Sequence, residues 1–367
     1  MLEGFRGDTD ANKKSEGLSA HRENVPLSER PFDSASVVEL PAEKESGKET
    51  LVLNSSWGVG TDVYEHVLRA FNGAEKDRRT ICIDHPRWAG TTDVPPEEKE
   101  LVKEYPPEEI RRALTLIKVL EAKNAGETAV VGHSEGAASS AIAALLLAKR
   151  AAEGRPGPRI RNLVLYAPVG FIGEDTLPHM AKGFAAQPAI TGKRAESFGA
   201  LPVSEEERAA AASEGRTIAN YDAIPETPED KEGGSKHPKQ FPMYLATNPY
   251  RATKEVLGMA NIQLIPLIRT LREQYGIGVL VWSAVDDTVF ETSKMAGTMD
   301  EAETKKPKED RIIIPGTLRP GDVDGFYTVR GDHSIPFPYA SIIEGQLTTF
   351  EKNRQSRSTA TSGTSGG

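Results

Sequence analysis

Thr128-Ala129-Val130-Val131-Gly132-His133-Ser134-Glu135-Gly136-Ala137 is the stretch whose reading decides the fold. An apolar run ends in Gly-x-Ser-x-Gly and passes without a break into residues 137–149, a strongly helical sequence. Strand, one-residue elbow and helix form the context in which this pattern marks a nucleophilic serine. The two glycines have a mechanical reason to be there. A serine on a sharp turn between strand and helix is crowded from both sides, and side chains at Gly132 and Gly136 would meet neighbouring backbone. A helix starting at Ser134 also aims free backbone N–H groups at the site, so the N–H of Glu135 can meet a developing oxyanion.

Outward from the elbow, strand and helix signals alternate. Residues 51–53 read as a short buried strand leading into the turn Asn54-Ser55-Ser56-Trp57-Gly58, and residues 61–71 carry apolar side chains at helical spacing. Residues 79–84 are the next strand, followed by a Pro/Gly-rich loop over 86–96. The helix over 106–124 is punctuated: two prolines open it, Glu108 and Glu109 occupy the first turn and Lys123 lies near the end, all matching the helix dipole. Further strands are expected at 163–166, 278–283 and 326–329, with helices at 134–152, 262–275 and 339–353. Residues 172–258 break this rhythm, being polar, Pro-interrupted and rich in Ala and Glu. They are too long for a connecting loop and read as a mostly helical cap, with a helical patch at 204–214 and a loop over 225–238.

The alternation specifies an α/β protein with a mostly parallel, doubly wound sheet covered on both faces. The expected organisation is a disordered tail over 1–35, a core in two parts (36–171 and 259–353), the cap over 172–258 and a flexible tail over 354–367. Composition narrows the function classes. A net charge of −9 argues against a nucleic-acid surface. No apolar run approaches the roughly 20 residues that span a bilayer, and residues 1–30 hold no signal-peptide core. The single cysteine, Cys82, lies in an apolar strand and reads as a buried residue without a disulfide partner. The expectation is a soluble, cytoplasmic protein that binds neither nucleic acid nor membrane, of unknown oligomeric state.

A serine hydroxyl needs a base to take its proton, and the base needs a third group to hold its tautomer. Of the seven histidines, His21 falls in the tail, His66 on a helix, and His179 and His237 in the cap. His133 directly precedes the serine, so its side chain should point away from it. Only His333, in Gly331-Asp332-His333-Ser334, follows a late strand on a turn able to swing an imidazole over Ser134. His85, at another strand end, reads as structural, bonded to backbone. The acid comes from the strand end Trp282-Ser283-Ala284-Val285-Asp286-Asp287-Thr288. Asp287 is favoured for the polar-to-apolar step that follows it. Asp286 stays open, as does Asp175 after an earlier strand, and both neighbouring aspartates can alternatively be read as helix caps.

With these three positions in place, the chain resembles the α/β-hydrolase superfamily over residues 51–353, in the family order Ser134, Asp287, His333. The loop Asp84-His85-Pro86-Arg87-Trp88-Ala89-Gly90 resembles the segment after the family's fourth strand, departing from its glycine pattern. Where many members carry His-Gly after the first long strand, this chain has Asn54-Ser55-Ser56-Trp57-Gly58. The resemblance places the second oxyanion N–H at Ser56, with Ser55 as the neighbouring choice. A serine rather than an aspartate at the elbow points to acyl chemistry on an ester, thioester or amide of a small molecule, with no cofactor or metal required. Trp57 and Trp88 are candidate pocket walls, or equally loop-packing residues. Acyl transfer and carbon–carbon bond hydrolysis run on the same triad, and a non-catalytic small-molecule receptor would keep only the fold.

Overall fold

The computed structural model describes residues 20–29, 33–44, 48–57, 60–61, 64–72, 77–85, 104–171, 246–284, 287–290, 323–329 and 343–352, with isolated positions between them. A nine-stranded sheet runs through these residues. Its strands are β1 (His21–Pro26), β2 (Ser34–Leu40), β3 (Thr50–Asn54), β4 (Thr80–Asp84), β5 (Glu127–His133), β6 (Arg159–Tyr166), β7 (Thr217–Ile218), β8 (Gly278–Ala284) and β9 (Gly325–Val329). Their order is β1-β2-β4-β3-β5-β6-β8-β9-β7. The β1–β2 and β2–β4 pairs are antiparallel and the remainder parallel.

The pleat sorts the side chains onto two faces. Val52, Ile81, Ile83, Val130, Val279 and Val281 belong to one apolar cluster, whereas Leu51, Leu53, Cys82, Val131, Leu280 and Trp282 belong to the other. Both faces are covered, which is why the central strands read as unbroken apolar runs. The first face packs against α2 (Pro107–Ala122), α3 (Glu135–Ala152) and α5 (Leu264–Tyr275). The second packs against α1 (Glu65–Asn72) and the helix over 343–352, through Val67, Leu68, Phe71, Ile343 and Leu347. Among the described residues no helix is long and apolar enough to cross a membrane.

Two expectations need correcting. Residues 21–26, expected within a disordered tail, form β1, which pairs with β2 from His21↔Glu39 to Pro26↔Ser34. Its composition hid it: Val25 and the following Leu27 are the buried apolar residues, and the remaining positions of this edge strand are polar. The segment expected to be a mostly helical cap also contributes β7, which extends the sheet edge beside β9. Its last part is the helix α4 (Pro249–Ala260). The loop expected over 225–238 lies outside the described residues.

Candidate active site

The turn between β5 and α3 carries Ser134 at φ 56°, ψ −120°, a conformation that L residues rarely adopt. The neighbouring glycines explain how it is tolerated. A Cβ on Gly132 would sit 2.5 Å from the Ala137 Cα, and one on Gly136 would sit 2.5 Å from the Ser55 carbonyl oxygen. The turn is held by Ser134 N–H donating to the Tyr166 oxygen (2.8 Å) and Ala137 N–H donating to the Ser134 oxygen (3.0 Å). Ser134 therefore stands at the carboxyl edge of the sheet with the free N–H groups of the α3 N-terminus behind it.

Asp287 lies just after β8 and His333 after β9, so three parallel strands deliver three groups to one edge. Ser134 Oγ is 2.9 Å from His333 Nε2, and His333 Nδ1 is 2.9 Å from Asp287 Oδ2. A carboxylate only accepts, so Nδ1 carries the proton and Nε2 offers its lone pair to the serine hydroxyl. Asp287 Oδ1 accepts the N–H groups of Val289 (2.8 Å) and Phe290 (2.9 Å), which fixes the carboxylate while it faces the imidazole. Asp287 thus binds the imidazole and two main-chain N–H groups of the residues that follow it. All three side chains are buried. The rings of Phe290 and Phe184 stand edge-on to His333 at 5.2 and 6.4 Å. Phe184, from the inserted segment, also meets Trp57 at 5.3 Å, and Trp57 meets Tyr244 at 6.0 Å. Asp286, Asp175, Trp88 and the loop over 86–92 lie outside the described residues.

The loop after β3 differs from expectation. The Ser56 N–H, expected to face an oxyanion, is directed at Tyr64 Oη at 3.1 Å. Asn54 Nδ2 donates to the Gly136 oxygen (2.9 Å) and to Ser139 and Ser140 Oγ (3.0 Å each), so this loop is tied to the first turn of α3. His85 bonds a side chain rather than backbone: its Nε2 donates to Asn54 Oδ1 at 2.5 Å. Burial, reinforced by the nearby charges of Arg112 and Arg251, holds the His85 pKa well below its ordinary value, so the ring is neutral.

Sequence reasoning missed two features. His133, read only as pointing away from the serine, holds the main-chain oxygen of His333 with its Nε2 at 2.8 Å. Behind the elbow lies a buried charged cluster. Arg112 approaches Glu135 at 3.1 Å and donates to the Ser55 oxygen at 2.8 Å. Glu255 accepts Trp57 Nε1 (2.6 Å), Tyr244 Oη and Arg251 Nε (2.7 Å). Burial pushes Glu135 up to about 7, and burial together with the Glu135 charge holds Glu109 well above the usual carboxylate range.

Strand order, the elbow and the placement of Ser134, Asp287 and His333 can be set beside solved structures. A bromoperoxidase from Bacillus anthracis is similar over 90% of this chain and 100% of its own, at 12% identity and a TM-score of 0.51. The chain has the α/β-hydrolase fold. A thermophilic esterase from Thermogutta terrifontis aligns at 14% identity over 91% of this chain and 99% of that one, with a TM-score of 0.47. The esterase RhEst1 from Rhodococcus sp. aligns at 20% identity over 91% and 98%, with a TM-score of 0.46. No family model and no curated protein matches the sequence. In this α/β-hydrolase fold the site lies beyond the carboxyl ends of β5, β8 and β9, where ligands of open parallel sheets bind.

Proposed function

We propose that the chain is a serine hydrolase cleaving an ester, thioester or amide of a small molecule through an acyl-enzyme. The observation that carries this reading is the unbroken line from Ser134 Oγ to His333 Nε2 and from His333 Nδ1 to Asp287 Oδ2, each of the two hydrogen bonds 2.9 Å. His333 takes the Ser134 proton as Oγ attacks the carbonyl carbon, and Asp287 stabilises the imidazolium that results. The same imidazole then protonates the leaving group, and water deacylates the serine by the reverse proton path.

The tetrahedral oxyanion meets the N–H of Glu135, which the elbow fixes. The N–H of Ser56, the second donor that the resemblance implies, is engaged by Tyr64 Oη instead. Trp57, Phe184 and Phe290 supply an apolar wall around the imidazole, which suits an apolar acyl or leaving group.

Covalent labelling tests it. A fluorophosphonate probe should modify Ser134, as located by peptide mass spectrometry, and Ser134→Ala should abolish the label. His333→Ala should slow labelling by at least about a hundredfold while the protein stays folded. A folded wild type that takes no label, or a label that survives Ser134→Ala, overturns the reading. A panel of p-nitrophenyl esters of increasing chain length, with amide controls, then defines the acyl preference.

A further inference from the structure

We infer that His133 is a positioning residue for His333, acting through a buried hydrogen-bond relay that runs from the loop after β3 to the main chain of the imidazole-bearing turn. The inference rests on the hydrolase reading of Ser134 and His333. Its parts lie on three separate elements. His133 ends β5, Tyr64 precedes α1, and Ser56 belongs to the loop after β3. All three side chains are buried.

Chemistry fixes the direction of the bond to the His333 carbonyl, and the proposed relay assigns the rest. The His333 main-chain oxygen can only accept, so His133 Nε2, 2.8 Å away, carries a proton and donates it. In the singly protonated ring that the relay assigns to His133, Nδ1 is left as an acceptor. Tyr64 Oη is 2.9 Å from that nitrogen and must donate to it. Burial pushes the phenol pKa up, so the Tyr64 proton is always present to be donated. With its proton committed, Tyr64 Oη accepts from Ser56 N–H (3.1 Å) and from the Ser56 hydroxyl (2.8 Å).

The relay does two things for the site. It holds the main-chain carbonyl of His333, so the residue is fixed there as well as at Nδ1 by Asp287. It also holds the Ser56 N–H on Tyr64, which couples the loop after β3 to the same point. A residue next to the nucleophile and on the other face of its strand can do this without touching substrate. The contact depends on the Nε2–H tautomer of His133, and the tautomer depends on Tyr64.

The test separates this role from packing. In a Gln side chain the amide nitrogen falls near the Nε2 position, whereas in Asn it falls near Nδ1. His133→Gln should keep the donor to the His333 carbonyl and retain the fluorophosphonate rate and kcat within about threefold, whereas His133→Asn should lose about tenfold or more in both with KM little changed. Tyr64→Phe should also lower kcat, by a smaller factor. Gln and Asn variants that fall equally, or that both keep the wild-type rate, overturn the role. Nitrogen NMR of the wild-type protein supplies a readout that needs no activity: His133 should show a protonated Nε2 and a bare Nδ1, and the opposite tautomer overturns the relay. A wild-type serine inert to the probe overturns the hydrolase reading itself, which is a distinct result from reactive wild type with indistinguishable variants.

Discussion

Arg112 Nη1 lies 3.1 Å from Glu135 Oε2, which puts a guanidinium beside the residue that follows Ser134. The same guanidinium donates through Nη2 to the Ser55 oxygen, so it braces both the elbow and the loop after β3. Glu109, Glu135 and Glu255 are buried around it, with Arg251 as the second cation. Three carboxyls against two guanidiniums become neutral when one proton is held. Glu109 and Glu135 are both raised above the ordinary carboxylate range, so this pair holds the proton.

Removal of Arg112 should therefore strand charge. Arg112→Met is expected to cost about 3–5 kcal/mol in urea unfolding, the range for breaking one side of a buried pair. Adding Glu135→Gln should recover at least about half of that loss, because the uncompensated carboxylate is gone. A double variant as unstable as Arg112→Met alone would mean that Arg112 acts by packing and not by charge.

Glu49 provides a pH signature far from the elbow. Burial, with the Glu351 carboxylate adding to it, raises its pKa to about 7, opposed by the hydrogen bond from Asn162 Nδ2. A raised folded pKa favours the native state below the unfolded value near 4.5. That advantage is lost as the unfolded chain ionises first, between about pH 4.5 and 7, and the contribution is flat above. Glu39, Glu65 and Asp77 have lowered pKa values and act in the opposite sense, so the total curve mixes both. The difference between wild type and Glu49→Gln isolates the one group. The variant should gain about 1–3 kcal/mol on wild type from pH 4.5 to 7 in denaturant titrations, with no further change above.

Gly136 separates fold from reactivity. A Cβ there would press on the Ser55 carbonyl oxygen and the end of β3, both backbone, so nothing flexible can yield. Gly136→Ala should cost about 1–3 kcal/mol by overpacking. It should slow fluorophosphonate labelling of Ser134 by about tenfold or more, since the displaced loop is the one that borders the oxyanion. Labelling at the wild-type rate would show that the loop and the serine are not mechanically linked.

How far these arrangements could be read in advance depended on the range of the interaction. Ser134, Asp287 and His333 each sit where an apolar strand ends in a chemistry-bearing residue, a local signal, and these are the three groups that the structure bonds in line. The parallel sheet was legible for the same reason, because buried runs alternate with helical spacing. The edge strand β1 was not, since only Val25 within it is buried. Glu109 read only as a first-turn acid matching the α2 dipole, and its burial in the folded protein gave no local signal. The role of His133 could not be seen from Gly-His-Ser. It exists because β9 brings the main chain of residue 333 back across the sheet, 200 positions further along the chain. Phe184 and Tyr244 reach Trp57 from within a segment whose composition showed only polarity and prolines.

Arg78 is the clearest case of a long-range contact with a measurable consequence. Its side chain is fully buried just before β4, and its two terminal nitrogens donate to the two oxygens of Glu351 at 2.8 and 2.6 Å. Nη1 also donates to the main-chain oxygen of Glu49 at 3.2 Å, and Nε lies 3.7 Å from Glu344 Oε1. The helix over 343–352 is thereby anchored to the sheet just downstream of His333. A planar fork matches a carboxylate at both oxygens, whereas a lysine ammonium is a single point of charge on a flexible stem. Arg78→Lys should therefore cost about 1.5–3 kcal/mol despite keeping the charge, the range for losing a hydrogen bond to a charged group. Arg78→Met should cost more, about 3–5 kcal/mol, because Glu351 is left buried without its cation. Pairing it with Glu351→Met should restore much of the loss while leaving the fork absent. Thermal unfolding of the four proteins checks the order, and a lysine variant as stable as wild type would reduce the contact to simple charge neutralisation.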